Sequence, residues 1–342
     1  MTSPYRSHAE QERALIDALA SGRMPHAWLL AGPEGIGKAG FARRAATFLI
    51  ADGDWRAEQG ADSLSIDPDD QVARLVANEA HPEFLWLKRE VPEAKRPKDG
   101  SAGKDEDIAR NITIGQVRSL LNRLRVRPGN ARWRAVVIDS IDDLERSAAN
   151  ALLKTLEEPP AQTVFFLVSH QPGRLLPTIR SRCRLLRFSP LDDVAMRSVL
   201  QSRLSDADSE EIEALLRVGR GSPGRALLFG ALRLAEIDAR LRAIADSGDP
   251  DNRLRVELAK SLSGTAERRR FEAMLAQATA LSANLARTAE GERLPRALAA
   301  RDRIVDVAAL AASWSEDPAT VTFVVGNALA AISGDARSAP RR

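Results

Sequence analysis

The segment Gly32-Pro33-Glu34-Gly35-Ile36-Gly37-Lys38-Ala39 constrains this chain more than any other stretch. An apolar run at 27–31 precedes it, and a helical pattern follows it to about Ala51. A strand, a glycine-rich turn and a helix, with a lysine after the last glycine, are typical of a phosphate-binding P-loop. Backbone N–H groups of such a loop surround phosphate oxygens, and the helix N-terminus adds its positive end. The predicted nucleotide pocket therefore contains Gly32, Gly35, Gly37 and Lys38, with Lys38 reaching the outer phosphates.

Two positions that P-loop enzymes need for hydrolysis are altered. A working P-loop has Ser or Thr where this chain has Ala39, and a methyl group cannot bind Mg²⁺. The segment 134–139 is typical of a buried strand and ends in Asp139, which stands where such ATPases place the Walker B acid. The next residue in hydrolysing relatives is a Glu that orients the attacking water, and here it is Ser140. The two substitutions together argue against ATP hydrolysis.

Length and composition limit the remaining possibilities. A chain of 342 residues predicts two or three domains. The sequence has no apolar run near 18 residues and no signal-peptide pattern, so we expect a soluble, cytoplasmic protein. The single cysteine, Cys183, excludes an internal disulfide and any multi-cysteine zinc site within the chain. The net charge of +3 is only a weak indication of a nucleic-acid neighbour.

Two segments allow alternative interpretations. Residues 88–107 are charged and rich in Pro, Gly and Lys, which predicts a mobile loop, while a basic loop that contacts DNA is the alternative. The apolar strand predicted at 163–168 is followed by Ser169. A polar residue at that strand end could sense a γ-phosphate, and it could equally be a simple cap.

Three motifs together resemble a known family. The GPEGIGK loop, the NALLKTLEEPP helix at 150–160 and the SRC triplet at 181–183 resemble the clamp-loader branch of the AAA+ proteins. Within that branch, HAWLL at 26–30 and the LLPTIRSRCR run are similar to the delta-prime family of bacterial DNA polymerase III. The resemblance extends from about residue 8 to residue 230. The NALLKTLEEPP and SRC motifs in combination are specific, whereas the P-loop alone is not.

The resemblance implies a fold, a domain organisation and two further site residues. The implied fold is an α/β AAA+ P-loop domain at 1–188, with a parallel sheet flanked by helices. A small helical lid follows at 189–235 and an all-α collar at 236–342. Arg225 stands where a functional lid has its sensor-2 arginine, although a solvated arginine at a helix start is the alternative. Arg182 of the SRC triplet would act in trans as an arginine finger on a neighbour's γ-phosphate, and a structural pairing with a local carboxylate is the alternative.

The implied function is a subunit that helps load a sliding clamp onto primed DNA without hydrolysing ATP. The implied partners are the gamma/tau ATPase subunits and delta, with the clamp and primed DNA reached through the complex and no membrane contact. The chain would have no catalysis of its own within the DNA-directed DNA polymerase holoenzyme. No cofactor is required, although residual ATP binding stays open. We expect no zinc, since 52–80 lacks the four-cysteine module of many relatives.

Two other functions are weighed against this one. An active AAA+ ATPase, such as the motor clamp-loader subunit or a branch-migration helicase, is disfavoured by Ala39 and Ser140. A P-loop phosphotransferase acting on a small molecule is disfavoured by the SRC triplet and the helical C-terminal third.

Overall fold

The structure is a computed structural model that describes residues 8–92, 108–125, 129, 132–264, 267–313 and 317–333. Most of the predicted loop at 88–107, and the C-terminal residues 336–342 that we expect to fray, lie outside these described residues. The chain divides into two compact units, 1–226 and 227–342. The division at 188 and 235 implied by the resemblance is a finer one and stays a prediction.

The first unit contains a five-stranded sheet and the helices that flank it. Its strands are β1 Ala27–Ala31, β2 Phe84–Lys88, β3 Arg134–Asp139, β4 Thr163–Ser169 and β5 Arg184–Arg187. Its helices are α1 Ala9–Ala20, α2 Lys38–Ile50, α3 Gly53–Glu58, α4 Gln71–Ala77, α5 Ile114–Leu124, α6 Arg146–Glu157, α7 Pro177–Arg180, α8 Asp193–Arg203 and α9 Ser209–Gly219. Helix α10, Pro223–Ala231, contains the boundary with the second unit.

All five strands run parallel, in the order β2-β3-β4-β1-β5. Every residue of β1 and β4 is buried, which accounts for their continuous apolar sequences. Side chains on one face of the sheet pack against α1 and α2, among them Trp28, Leu30 and Phe166. Side chains on the other face, such as Leu29 and Phe165, pack against α5 and α6. The result is a sheet with a hydrophobic core on each face.

The carboxyl ends of the central strands meet at one edge of the sheet. Ala31 of β1 is in register with Ser169 of β4, and Asp139 of β3 is in register with Val168. In open parallel sheets this edge is where ligands bind. The loop 32–37 that follows β1 therefore begins beside the polar residues that end β3 and β4.

The second unit is entirely helical in its described part. Its helices are α11 Ala235–Ser247, α12 Arg253–Ser261, α13 Arg268–Thr288, α14 Arg293–Ser313 and α15 Pro318–Ala330. Helix α15 packs against the other four and buries Val321, Val325 and Leu329. A buried ion pair joins Asp249 to Arg255, with 3.0 Å between Oδ2 and Nε.

The predicted fold class is confirmed: a parallel sheet flanked by helices is followed by an all-helical C-terminal region. Across the described ranges, no helix has both the length and the apolar character needed to cross a bilayer.

Candidate functional site

The loop between β1 and α2 has a backbone that requires glycine. Gly35 and Gly37 have φ of +75° and +99°, in the left-handed region that other residues rarely adopt. A Cβ atom on Gly32 would lie 2.2 Å from the carbonyl oxygen of Phe188, and one on Gly35 would lie 2.5 Å from Ser222 Oγ. The three glycines predicted from the sequence thus come together in one tightly packed turn.

Every carbonyl group of this loop accepts a hydrogen bond from within the chain. Lys38 Nζ donates to Gly32 O at 2.7 Å and also to Pro33 O. Four further donors complete the set. They are Ser222 Oγ to Glu34 O, Gly224 N to Gly35 O, His8 Nε2 to Ile36 O and Phe41 N to Gly37 O, each at 2.9 Å. The loop is therefore fastened to the start of α1 and to the turn before α10.

The backbone N–H groups of the same loop differ from its carbonyl groups in their hydrogen bonding. Those of Gly35, Ile36, Gly37 and Lys38 have no hydrogen-bond partner among the described residues. A left-handed turn followed by a helix N-terminus is the backbone arrangement that binds anions in other proteins. That this loop binds a phosphate stays a prediction.

The side chain of Lys38 is directed into its own loop and is 3% exposed. Burial lowers its pKa to about 8, and the carboxylates of Glu34, Asp139 and Asp142 oppose that shift. Its ammonium group donates to the loop carbonyls of Gly32 and Pro33. That Lys38 reaches the outer phosphates of a bound nucleotide stays a prediction.

The residues present do not fit Mg²⁺-dependent hydrolysis. Ala39 offers no oxygen to a metal, and Ser140 is 2% exposed with its hydroxyl turned toward Asp142 at 3.4 Å. Asp139 lies at the end of β3 as predicted, and burial raises its pKa despite the nearby His170 and Lys38. An ATP phosphate would meet backbone N–H groups here, but its metal would lack the usual hydroxyl ligand.

Ser169 and Asp142 form a structural cap. The Ser169 hydroxyl donates to Asp142 Oδ1 at 2.9 Å, and the side chain is fully buried. Asp142 also accepts from the backbone N–H groups of His170 and Gln171. The Asp142 carboxylate therefore caps this turn and Ser169 donates to it, while a γ-phosphate-sensing role of Ser169 stays a prediction.

Arg182 follows α7 and precedes β5, and its side chain is 32% exposed. Its Nη2 donates to Glu157 Oε1 at 2.6 Å, and its Nη1 donates to Thr178 O at 2.8 Å and to Ser181 Oγ at 3.4 Å. The local carboxylate considered from the sequence is thus present. Neighbouring Cys183 donates from Sγ to Ile179 O at 3.1 Å, and burial raises its pKa to about 12, so it serves packing.

Arg225 lies in the first turn of α10, next to the loop. Its backbone N–H donates to Ser222 Oγ at 3.2 Å and lies 3.0 Å from where a Cβ on Gly35 would be. The turn before α10 therefore meets the P-loop through backbone atoms. Whether the Arg225 side chain contacts a nucleotide stays a prediction.

Two residues of this region were not identified from the sequence. His8 is separated from Ile36 by 28 positions, and no local pattern signals the contact. Glu157 lies within the NALLKTLEEPP motif, but the motif does not say which of its two glutamates faces Arg182. Among the described residues there is no cluster of three or more His, Cys, Asp or Glu side chains that could hold a metal ion.

Comparisons with known proteins agree on one family. A sequence model of the family described as "DNA polymerase III, delta subunit" matches residues 7–192. The delta-prime subunit of Pseudomonas aeruginosa is 36% identical over 199 residues, which are 58% of this chain and 53% of that protein. The delta-prime subunit of Escherichia coli is 33% identical over 213 residues, which are 62% of this chain and 57% of that protein.

More distant similarities are of the same kind. The tau subunit of Salmonella typhimurium is 32% identical over 237 residues, or 69% of this chain and 32% of tau. A gamma-subunit-related protein of Thermotoga maritima has a solved structure that covers 92% of this chain and 98% of its own at 18% identity, with a TM-score of 0.41. The matched part of the chain spans about half the length of the delta-prime relatives.

Proposed function

Because this chain belongs to the delta-prime subunit family of bacterial DNA polymerase III, within the clamp-loader branch of the AAA+ proteins, we propose that it is a non-hydrolysing clamp-loader subunit. In this role it helps to load a sliding clamp onto primed DNA and supplies Arg182 to the ATP site of a neighbouring subunit. Its contribution is structural and electrostatic, and the ATP is hydrolysed elsewhere in the complex.

The proposal rests most directly on positions 39 and 140. The loop keeps the glycines and the free N–H groups of a P-loop, while Ala39 and buried Ser140 remove the metal ligand and the group that would orient water. Lys38 is engaged with the carbonyl groups of Gly32 and Pro33. The same pocket therefore supports phosphate contact by the backbone and does not support turnover.

The role of Arg182 follows from its chemistry and exposure. An arginine is charged at every physiological pH and offers a planar fork of donors that matches phosphate oxygens. Its side chain is one-third exposed, whereas the hydrolytic positions of its own pocket are altered. A pocket without hydrolytic groups gives an arginine finger of the same chain no reaction to assist, so we assign Arg182 to a neighbouring ATP.

The partners, cofactor and location are part of the proposal. We assign contacts with gamma/tau ATPase subunits and with delta, and contact with the clamp and primed DNA through the complex. No cofactor is required for this role, and ATP held by the backbone N–H groups would not be hydrolysed. The function places the chain in the cytoplasm, with no membrane partner.

The test is the ATPase activity of the reconstituted complex, stimulated by clamp and primed DNA. Arg182→Ala should lower this activity while assembly stays intact, and Arg182→Lys should not fully restore it, because an ammonium group cannot make a bidentate contact. Arginine fingers contribute roughly 10³ to 10⁵ in rate in GTPases, but the loss should be smaller here because one site among several is served.

Arg180→Ala is the matched control, because Arg180 lies two positions earlier and is exposed, and among the described residues its side chain makes one hydrogen bond, to Pro172 O at 3.5 Å. A complex with Arg182→Ala that hydrolyses ATP and loads clamps at the wild-type rate would show that Arg182 is structural.

A further inference from the structure

Arg182 is held from two sides in the isolated chain. Glu157, the last residue of α6, accepts from Nη2 at 2.6 Å, while Thr178 O and Ser181 Oγ accept from Nη1. The contacts at Nη1 come from positions one and four residues earlier, whereas Glu157 lies 25 positions away in the sequence. Glu157 thus fixes the guanidinium group relative to a different element of the fold.

The holding partners leave part of the guanidinium group available. An arginine has five N–H groups, and the contacts of Arg182 number three. Its Nε–H and one N–H of Nη2 have no partner among the described residues, and about a third of the side chain is exposed. Glu157 therefore occupies one donor and leaves others open to an incoming anion.

Helix α6 gives Glu157 a rigid base. Its Ala148, Leu152 and Leu156 are buried in the core on one face of the sheet, and Leu156 directly precedes the glutamate. A long arginine side chain without such an anchor samples many rotamers, and ordering it at the moment of reaction costs conformational entropy. An arginine that is already ordered avoids that cost in the transition state.

From these contacts we infer that Glu157 is a positioning residue that holds Arg182 ready for the neighbouring subunit's phosphate. This inference rests on the proposed function of Arg182. Glu157 does not touch the nucleotide; it acts through the guanidinium group, by restricting its rotamers while leaving two N–H groups exposed. If Glu157 instead inhibited Arg182, its carboxylate would have to occupy the same N–H donors that the phosphate uses.

The experiment compares variants within the reconstituted complex, with ATPase measured across ATP concentrations in the presence of clamp and primed DNA. Arg182→Ala should lower kcat, and we expect Glu157→Ala to cause roughly half or more of that decrease. The KM for ATP should stay unchanged. Glu157→Gln should retain more activity than Glu157→Ala, because its amide oxygen can still accept from Nη2.

Glu158→Ala is the matched control. Glu158 is the next residue, carries the same charge, is exposed, and has no side-chain partner within the described part of the chain. The Glu158→Ala variant should leave kcat unchanged. The double variant Glu157→Ala with Arg182→Ala should equal Arg182→Ala alone, since a residue that acts only through Arg182 has no effect once Arg182 is gone. Thermal unfolding of each free chain checks that the fold is intact.

The outcomes separate this inference from the proposed function. If Arg182→Ala lowers the rate and Glu157→Ala behaves like wild type, Arg182 is a finger but Glu157 does not position it. A faster rate with Glu157→Ala would make the glutamate an inhibitor of the finger, and a further loss in the double variant would give it a separate role. A wild-type rate with Arg182→Ala would overturn the proposed function and this inference together.

Discussion

The ammonium group of Lys38 lies beneath the loop that precedes it, and its burial should be measurable by titration. Its pKa is lowered from 10.5 to about 8 by burial. Below pH 8 the lysine is protonated in the folded and unfolded states, so the folded state bears the cost of burying the charge. As the pH rises from 8 to 10.5 the folded state releases its proton first, and the free energy of unfolding increases.

We therefore predict that wild type gains stability relative to Lys38→Met between about pH 7 and about pH 10, by roughly 1 to 3 kcal/mol. Methionine keeps most of the side-chain volume without the titrating amine. Urea unfolding of both proteins at the two pH values measures the difference. Stability curves that stay parallel over this range would show that the amine keeps its ordinary pKa and is not buried in the loop.

The sequence predicted that Gly32, Gly35, Gly37 and Lys38 lie in one loop, but it did not predict the contacts that Lys38 makes there. Glycine spacing reports a backbone requirement, and Gly35 and Gly37 have positive φ. The direction of Lys38 depends on its rotamer and on the free carbonyl groups around it, which no spacing encodes. The contact of His8 with Ile36 depends on how α1 packs, so it could not be predicted either.

At the level of elements, the segment at 52–80 is held by packing and hydrogen bonds. Leu64 is 1% exposed in the core, and its N–H donates to Glu12 Oε2 at 3.1 Å. Asp54 accepts from Trp133 Nε1 at 2.6 Å and pairs with Arg132 at 2.9 Å. These contacts give the segment a means of attachment that involves no metal.

Leu64→Ala should therefore destabilise the chain by about 2 to 5 kcal/mol, because it removes a buried side chain and leaves a cavity.

A chelator should leave the melting temperature of wild type unchanged, because the chain has one Cys and four His for a site that needs about four ligands. Melting curves with and without chelator provide the measurement. One zinc per chain by elemental analysis, together with a chelator-induced loss of stability, would contradict this account of the segment.

Long apolar strands were predictable, whereas helix α3 and the strand order were not. The prediction of β3 began at Arg134 and ended at Asp139, as observed, because a strand buried on both faces has a continuous apolar sequence. Helix α3 spans six residues, too few to show a period, and it was not predicted. The order β2-β3-β4-β1-β5 depends on contacts between distant segments, and periodicity contains no information about them.

At the scale of the whole molecule, the C-terminal unit exposes an apolar surface. Leu294, Leu298 and Val305 of α14 are 37%, 42% and 41% exposed. Their spacing of four and seven places them on one face of the helix. A bundle that buried all of its apolar side chains would leave no such stripe, so this surface is suited to contact with another subunit.

We predict that residues 236–342 associate with the other clamp-loader subunits without the rest of the chain. Leu298→Glu should weaken that association while leaving helicity unchanged, because the side chain is already half exposed. Size-exclusion chromatography of the mixed fragments, with circular dichroism of each, is the measurement. If the 236–342 fragment stays apart from these partners while the 1–235 fragment binds them, assembly belongs to the N-terminal part of the chain.

We propose that this chain retains the loop of a P-loop ATPase without hydrolysing ATP. Steady-state ATP hydrolysis by the purified chain alone is the decisive measurement, with Lys38→Ala as the control for contaminating activity. We predict background activity that is the same in wild type and in Lys38→Ala, because Ala39 and Ser140 supply neither a metal ligand nor a group that orients water. Steady turnover that Lys38→Ala abolishes would contradict it and identify the chain as an active ATPase.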